Sequence, residues 1–69
     1  MQYIIYERIK ELRQENGINQ KKLAELCEVK QSCVSRWEKG DSLPDTKSII
    51  KLCIIFDESA DYLLGLKDY

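Results

Sequence analysis

The chain has 69 residues and a formal net charge of −1; 43% of its residues are hydrophobic and 33% are charged. This balance is typical of a folded soluble domain and argues against a disordered segment, and no apolar run approaches the ~18 residues that a membrane span needs. Because no basic leader precedes an apolar core, we expect a cytoplasmic protein made of one domain, residues 1–69.

The cysteines and the missing histidine exclude further classes of protein. Cys27, Cys33 and Cys53 are odd in number and form no CxxC pair, and the chain has no histidine. This argues against a disulfide framework and against a zinc site, so we expect no metal and no cofactor. The commonest general acid–base is absent, and there is no Gly-rich phosphate loop or nucleophile elbow, so the sequence does not predict an enzyme.

The first predicted element is an amphipathic helix. Ile5, Ile9 and Leu12 recur at helical spacing and lie on one face. Asn16 and Gly17 end it, with Gly17 suited to the left-handed position that follows a helix.

A second helix is predicted over residues 20–27 and a third over about 31–38. Asn19 is the expected N-cap of the second helix. Its inner face should hold Leu23, Leu26 and Cys27, with Ala24 beside them. The third helix should bury Val34 and Trp37, and it ends at the sequence Lys39-Gly40-Asp41.

Two more helices complete the chain. Asp45 should cap a fourth helix, and Ser59 a short fifth helix that ends at Gly65. The fourth helix should turn these residues inward: Ile49, Leu52, Cys53 and Phe56. The tail 66–69 is expected to be loose or in a dimer contact. Because no alternating strand pattern is present, the sequence predicts an all-α fold of five short helices.

The outward face of the third helix has an unusual composition. It carries Gln31, Ser32, Ser35 and Arg36, and no acid. A helix that only solubilises a fold usually shows Glu and Lys on this face. Glutamine can contact adenine, arginine guanine, and serine either base, whereas an acid would meet a polyanion. The face therefore indicates contact with nucleic acid, although a short polar helix can also lack acids by chance.

Lysines at the helix starts support the same interpretation. Lys21 and Lys22 lie in the first turn of helix 2, and Lys30 precedes helix 3. The helix dipole disfavours an exposed cation there by ~0.3–1 kcal/mol. A phosphate bound at the helix N-terminus would turn that cost into a binding contribution. Chance placement of common surface lysines is the alternative explanation.

Two short helices joined by a three-residue turn, the second with a polar face, follow the helix-turn-helix plan. The stretch QKKLAELCEVKQSCVSRWEKG resembles the helix-turn-helix of the Cro/repressor-like (XRE) family of bacterial and phage regulators. The flanking stretches RIKELRQENGINQ, SLPDTKSIIKLCIIF and SADYLLGL agree, so the resemblance covers residues 7–66. It implies a compact, five-helix, lambda-repressor-like DNA-binding domain with the helix-turn-helix at about 20–39.

The resemblance also implies roles for individual residues. Gln20 would contact a phosphate and brace Gln31, and Arg13 and Glu38 would form a pair that joins helix 1 to the end of helix 3. The base-reading residues would be Gln31, Ser32, Ser35 and Arg36. The phosphate-binding residues would be Asn19, Gln20, Lys21, Lys30, Cys33 and Lys39.

The chain departs from the family pattern at and around the turn. Glu28 stands where glycine is frequent, and a left-handed conformation there costs a non-glycine residue about 1 kcal/mol. Lys30 replaces the usual Ser or Thr cap, and Lys22 replaces the acid of a capping box. These differences concern affinity and target sequence rather than fold.

The predicted function is sequence-specific binding of double-stranded DNA by a transcriptional repressor that acts as a homodimer on a palindromic operator. The dimer surface is predicted at helix 5, with Leu63, Leu64, Leu66 and Tyr69, and the stretch YIIY (residues 3–6) is the second choice. Control would come from the protein's abundance, from a regulatory protein partner or from a larger assembly. The alternative is a protein-interaction module or antitoxin with weak or no DNA binding, which the near-neutral net charge favours.

Overall fold

The computed structural model describes residues 3–68 and contains five helices. They are α1 (Ile5–Glu15), α2 (Gln20–Cys27), α3 (Gln31–Lys39), α4 (Thr46–Phe56) and α5 (Ala60–Leu64). No strand occurs between residues 3 and 68, so the all-α prediction is confirmed. The third helix extends one residue beyond the prediction. Among these five helices, none is long and apolar enough to cross a membrane.

Three of the helix starts are determined by their own capping residues. Asn19, Asp45 and Ser59 have extended backbones, and each side chain accepts a hydrogen bond from the backbone N–H three residues further on. These contacts satisfy donors that have no partner inside the helix. The three predicted caps are confirmed, whereas Lys30, the N-cap residue of α3, makes no side-chain capping hydrogen bond.

One core joins all five helices. Its fully enclosed side chains include Ile9, Leu23, Val34, Leu52 and Leu63. Ile49 and Cys53 of α4 are half-buried and pack against this core, and Ser48 is a buried polar residue of the same helix. The helices therefore share one apolar centre, and the polar face of α3 lies outside it.

Two predictions about apolar side chains are wrong. Leu26 was expected on the inner face of α2, but 43% of its surface is exposed. The buried side of α2 is centred between Leu23, Ala24 and Cys27, and at ~100° per residue Leu26 points about a quarter turn away from that centre. Leu63 was expected at a dimer surface, but it is completely buried because α5 packs against both α1 and α4.

The turn between α2 and α3 has the expected left-handed residue. Glu28 has φ 60° and ψ 41°. The N–H of Glu28 donates to the carbonyl of Glu25, and the N–H of Val29 donates to that of Ala24, the pair of bonds that defines a Schellman motif. A second non-glycine residue with positive φ, Asp57, ends α4 and was not predicted.

Candidate nucleic-acid interface

The outward face of α3 is held from beneath by two buried side chains. Val34 is completely buried and Trp37 is 5% exposed. The opposite side of the helix carries the four predicted base-reading residues, which share a face because they lie at positions i, i+1, i+4 and i+5. Gln31, Ser32 and Arg36 are exposed, and Ser35 is half-buried.

Arg13 and Glu38 form the ion pair that the sequence led us to expect. The Nε of Arg13 lies 2.6 Å from Oε2 of Glu38, and its Nη2 lies 3.0 Å from Oε1. The side chains are only 13% and 4% exposed. The carboxylate accepts both hydrogen bonds, which raises the pKa of Arg13 above its ordinary value. This two-point contact fixes the end of α3 against α1.

The same pair also fixes the start of α2. Arg13 donates from Nη1 to the carbonyl of Ile18, 3.0 Å away, in the loop between α1 and α2. Gln20 donates from Nε2 to Oε1 of Glu38 at 3.1 Å. The negative charge of Glu38 is therefore enclosed by three hydrogen bonds and is not presented to a polyanion.

These contacts define what Asn19 and Gln20 can offer to a phosphate. The side-chain oxygen of Asn19 accepts the N–H of Lys22 at 2.8 Å, so its amide NH₂ group is the part left to act as donor. Gln20 uses one N–H on Glu38 and has a second N–H. Both groups lie at the first turn of α2, where backbone N–H groups already favour an anion.

The other predicted phosphate-binding residues lie around the same face. Lys21, Lys30 and Lys39 are exposed, at the start of α2, just before α3 and at the end of α3. Cys33 is half-buried in the first turn of α3, and its Sγ accepts a hydrogen bond from Nη2 of Arg36 at 3.7 Å. The lysines therefore lie at both ends of the predicted reading face.

Cys27, Cys33 and Cys53 are all free. Burial raises the pKa of the Cys27 and Cys53 thiols. Across residues 3–68 no group of Cys, Asp and Glu side chains is arranged to hold a metal ion.

Sequence reasoning missed Lys51 of α4. Its Nζ lies 2.9 Å from Oε2 of Glu28 and 3.3 Å from the carbonyl oxygen of Cys27. The carboxylate accepts the ammonium group's hydrogen bond, which lowers the pKa of Glu28. The unusual Glu28 marked this turn in the sequence, but its ion-pair partner is 23 positions away and is found only by packing α4 against α2.

A groove without charged side chains lies between the two ends of the described chain. We call it the apolar groove; it has a volume of about 510 Å³ and is lined by Tyr3, Ile4, Ile5, Leu43, Pro44, Ile49, Leu64, Gly65 and Leu66. Ile4 packs so closely on Gly65 that a Cβ at that glycine would lie 3.0 Å from the Ile4 side chain. Residues 3–5 of one predicted dimer surface and Leu64 and Leu66 of the other therefore line the same groove. Tyr69 of the prediction lies outside the described residues.

Comparison with known proteins identifies relatives over most of the chain. The helix-turn-helix family model HTH_3 matches residues 9–63. The HTH-type transcriptional regulator ImmR of Bacillus subtilis (strain 168) is 39% identical over 59 residues, which are 86% of this chain and 46% of that protein. The chain thus spans about half the length of this curated relative.

Solved structures show the same arrangement of helices. A transcriptional regulator from Listeria innocua superposes with a TM-score of 0.87 at 31% identity, covering 94% of this chain and 61% of the other. The P22 c2 repressor, crystallised with a synthetic operator, superposes with a TM-score of 0.86 at 28% identity, covering 91% and 96%. The predicted five-helix architecture of the repressor type is confirmed.

Proposed function

Since this chain belongs to the helix-turn-helix family HTH_3, as its resemblance to the XRE regulators implied, we propose that it binds double-stranded DNA and regulates transcription. In this proposal α3 enters the major groove and reads a specific sequence. The observation that carries the proposal is the outward face of α3, which is free of acids and is set in place by the buried Arg13–Glu38 pair.

The side chains on this face have the chemistry that base reading requires. Arg36 can donate two hydrogen bonds to one guanine, and Gln31 can both donate to and accept from one adenine. Ser32 and Ser35 can bond to either type of base. Lys21, Lys30 and Lys39, with the amide groups of Asn19 and Gln20, would bind phosphates and set the register of α3 on the duplex.

We further propose that two copies bind a palindromic operator. One reading face of four residues distinguishes few base pairs, so one copy alone falls short of operator specificity. Two copies related by a two-fold axis would place their α3 helices in half-sites ~34 Å apart. The apolar groove is the surface proposed for this contact, because its large side chains Tyr3, Leu43 and Leu66 are each more than half exposed.

Repression is the proposed outcome of binding. The name of the P22 c2 protein describes a repressor, and its structure contains an operator. A dimer that occupies an operator blocks access to the DNA without needing a second activity. Control would then come from the protein's abundance or from a regulatory protein partner.

The alternative function is a protein-interaction module or antitoxin built on the same fold. The observation in its favour is the net charge of −1, since nucleic-acid-binding domains are usually basic. Here the charge is divided: residues 1–40 carry eight Lys/Arg and six Asp/Glu, whereas residues 41–69 carry three and six. The half that contains α2 and α3 is the positive half.

Selection of bound sites from random duplex DNA tests the proposal. We expect a selected site with dyad symmetry and an affinity that falls steeply with salt, with a log–log slope of about −0.9 per phosphate contacted. Binding to unselected duplex should show the same kind of salt dependence at lower affinity. A protein-interaction module would select no sequence and would show almost no binding at low salt, which would overturn the proposal.

A further inference from the structure

The left-handed position in the α2–α3 turn is occupied by Glu28 rather than by glycine, the residue that adopts this conformation most easily. Glu28 has φ 60° and ψ 41°, a region that glycine occupies freely and other residues enter at a cost in steric energy. The turn leads directly into α3, which starts three residues later and has no side-chain cap. Contacts that hold this turn in addition to its Schellman hydrogen bonds therefore bear on the start of α3.

Lys51 contacts the turn at two points. Its ammonium group donates to the Glu28 carboxylate at 2.9 Å and to the Cys27 carbonyl at 3.3 Å. The carbonyl belongs to the last residue of α2, where helix carbonyls have no partner within the helix. The last turn of α2 has no basic residue of its own, so Lys51 also supplies the cation that favours a helix C-terminus.

The position of Lys51 restricts its motion. Its side chain is 24% exposed, whereas that of Glu28 is 75% exposed. The lysine is thus held by packing and reaches outward to the glutamate. Because α4 also packs against α2, the contact joins the turn to a rigid part of the core.

We propose that Lys51 is a positioning residue for α3: its ammonium group holds the α2–α3 turn in the left-handed conformation that a glycine would supply. The effect on sequence preference rests on the proposed DNA-binding function. A loosened turn would let the reading face of α3 change its orientation on the bases. Lys51 then affects which sequence is preferred without itself contacting a base.

The test compares five variants with the wild type: Lys51→Met, which keeps most of the stem, Lys51→Arg, Glu28→Gly, the double variant Lys51→Met/Glu28→Gly, and Lys47→Met. Lys47 is an exposed lysine one turn earlier in α4, so its variant controls for the loss of one positive charge. Affinities for the selected site and for a shuffled duplex are measured well below the unfolding temperature of every variant.

We expect Lys51→Met to lower the ratio of the affinity for the selected site to the affinity for the shuffled duplex about three- to tenfold. The slope of log affinity against log salt concentration should stay unchanged. Lys51→Arg and Lys47→Met should keep the ratio. In the Glu28→Gly background the effect of Lys51→Met should shrink, because glycine adopts the turn without help. A salt slope that becomes shallower by about one with the ratio preserved would identify Lys51 as a phosphate ligand and overturn the inference.

Amide hydrogen exchange of the free protein tests the same inference without DNA. The N–H of Val29 bonds to Ala24 and that of Cys33 bonds to Lys30, so both report on the turn. Lys51→Met should speed their exchange about tenfold, relative to the N–H of Leu63 in α5, which bonds to Ser59. Equal acceleration at all three amides would show a general loss of stability and overturn the inference. If these amides respond as expected but the wild type selects no site, the proposed function alone fails.

Discussion

Arg36 and Glu38 lie two positions apart on α3, but only the side chain of Arg36 is exposed to solvent. Arg36 is exposed on the outward face, whereas the Glu38 side chain is 4% exposed and bonded to Arg13 and Gln20. A carboxylate near a DNA backbone would repel it, and the three hydrogen bonds from Arg13 and Gln20 weaken that repulsion. On α3 the positive charge of Arg36 is thus exposed, whereas the negative charge of Glu38 takes part in contacts that hold the helices together.

Replacing Arg36 with Ala should weaken binding to the selected site by about 1–3 kcal/mol and relax the preference at one base pair, because the proposed bidentate contact with guanine would be lost. Site selection with the purified variant measures both effects. Lys21→Ala is the matched control: it should weaken binding to all sequences alike. An unchanged site and affinity for the Arg36 variant would remove this residue from the base-reading set.

Replacing Glu38 with Gln should lower the free energy of unfolding by about 1.5–3 kcal/mol, since Arg13 loses a charged acceptor in a largely buried position. Urea denaturation measures the change. The control is Asp61→Asn in the pair Asp61–Lys67, whose side chains are 52% and 49% exposed; it should cost less than about 1 kcal/mol. Equal losses in the two variants would contradict a structural role for the Arg13–Glu38 pair.

At the scale of single helices, α2 shows how local and distant interactions combine. Its start is fixed locally by the Asn19 side chain, which accepts the Lys22 N–H. Its buried side holds Leu23, Ala24 and Cys27, whereas Leu26 is 43% exposed. Its end depends on Lys51 of another helix. The helix is therefore amphipathic by sequence, but only the core shows which of its leucines is inside.

The two leucines of α2 should differ strongly on truncation. Leu23→Ala should lower the free energy of unfolding by about 2–5 kcal/mol, because it removes a fully buried side chain and leaves a cavity. Leu26→Ala, in the same helix and with the same chemistry, should cost less than about 1 kcal/mol. Thermal unfolding of both variants measures the difference, and similar losses would show that Leu26 is also buried in solution.

The start of α4 should make stability depend on pH. The Asp45 carboxylate accepts the backbone N–H of Ser48 at 2.9 Å, and this hydrogen bond lowers the pKa of Asp45. Asp45 in the unfolded chain therefore binds its proton at a higher pH than Asp45 in the folded chain. The stabilisation from this cap is fully present above the pKa of the unfolded chain, about 3.9, and it is lost as the pH falls through the lower pKa of the folded protein.

Asp45→Asn keeps the capping oxygen and removes the titration. We expect the wild type to lose stability relative to this variant when the pH is lowered from 6 to about 3. Thermal unfolding of both proteins at both pH values measures this difference in stability. The pKa of Glu28 is also lowered, but Glu28 is present in both proteins, so its effect cancels in the comparison. A difference between the two proteins that does not change with pH would contradict the assignment.

At the scale of the whole molecule, the apolar groove is joined to the C-terminal end of α3 by a short loop. Leu43, which lines the groove, is in the loop that follows α3. Contact between two copies at the groove would thus bring their α3 helices to defined positions relative to each other. A rigid link between the two surfaces is what binding to two half-sites requires.

Leu66→Glu should prevent self-association and abolish the preference for a dyad-symmetric site, because it places a charge in the apolar groove. Its control is Ile54→Glu on α4: Leu66 is 72% exposed and Ile54 is 74% exposed, but Ile54 does not line the groove. Sedimentation with and without the selected site measures the stoichiometry. A one-to-one complex of the wild type on that site, or a Leu66 variant that still dimerises, would contradict the groove as the interface.

Much of the candidate site could be predicted from the sequence, because its residues are close together in the chain. Gln31 and Arg36 share a face of one helix, and helical spacing alone places them there. The Arg13–Glu38 pair spans 25 positions and was expected only because the chain resembles a known family. The bond between Gln20 and Glu38 was not foreseen, since the sequence does not show the angle at which α2 meets the end of α3.

The sequence by itself determined the fold class, the bounds of α2 and α3 to within a residue and the caps at Asn19, Asp45 and Ser59. Capping and helical periodicity involve residues no more than four apart, so their geometry is encoded locally. Only the tertiary structure decided that Leu63 is buried and that Lys51 supports the turn. These outcomes depend on how whole helices pack, and that packing is determined by the shape of the complete core rather than by any short stretch of sequence.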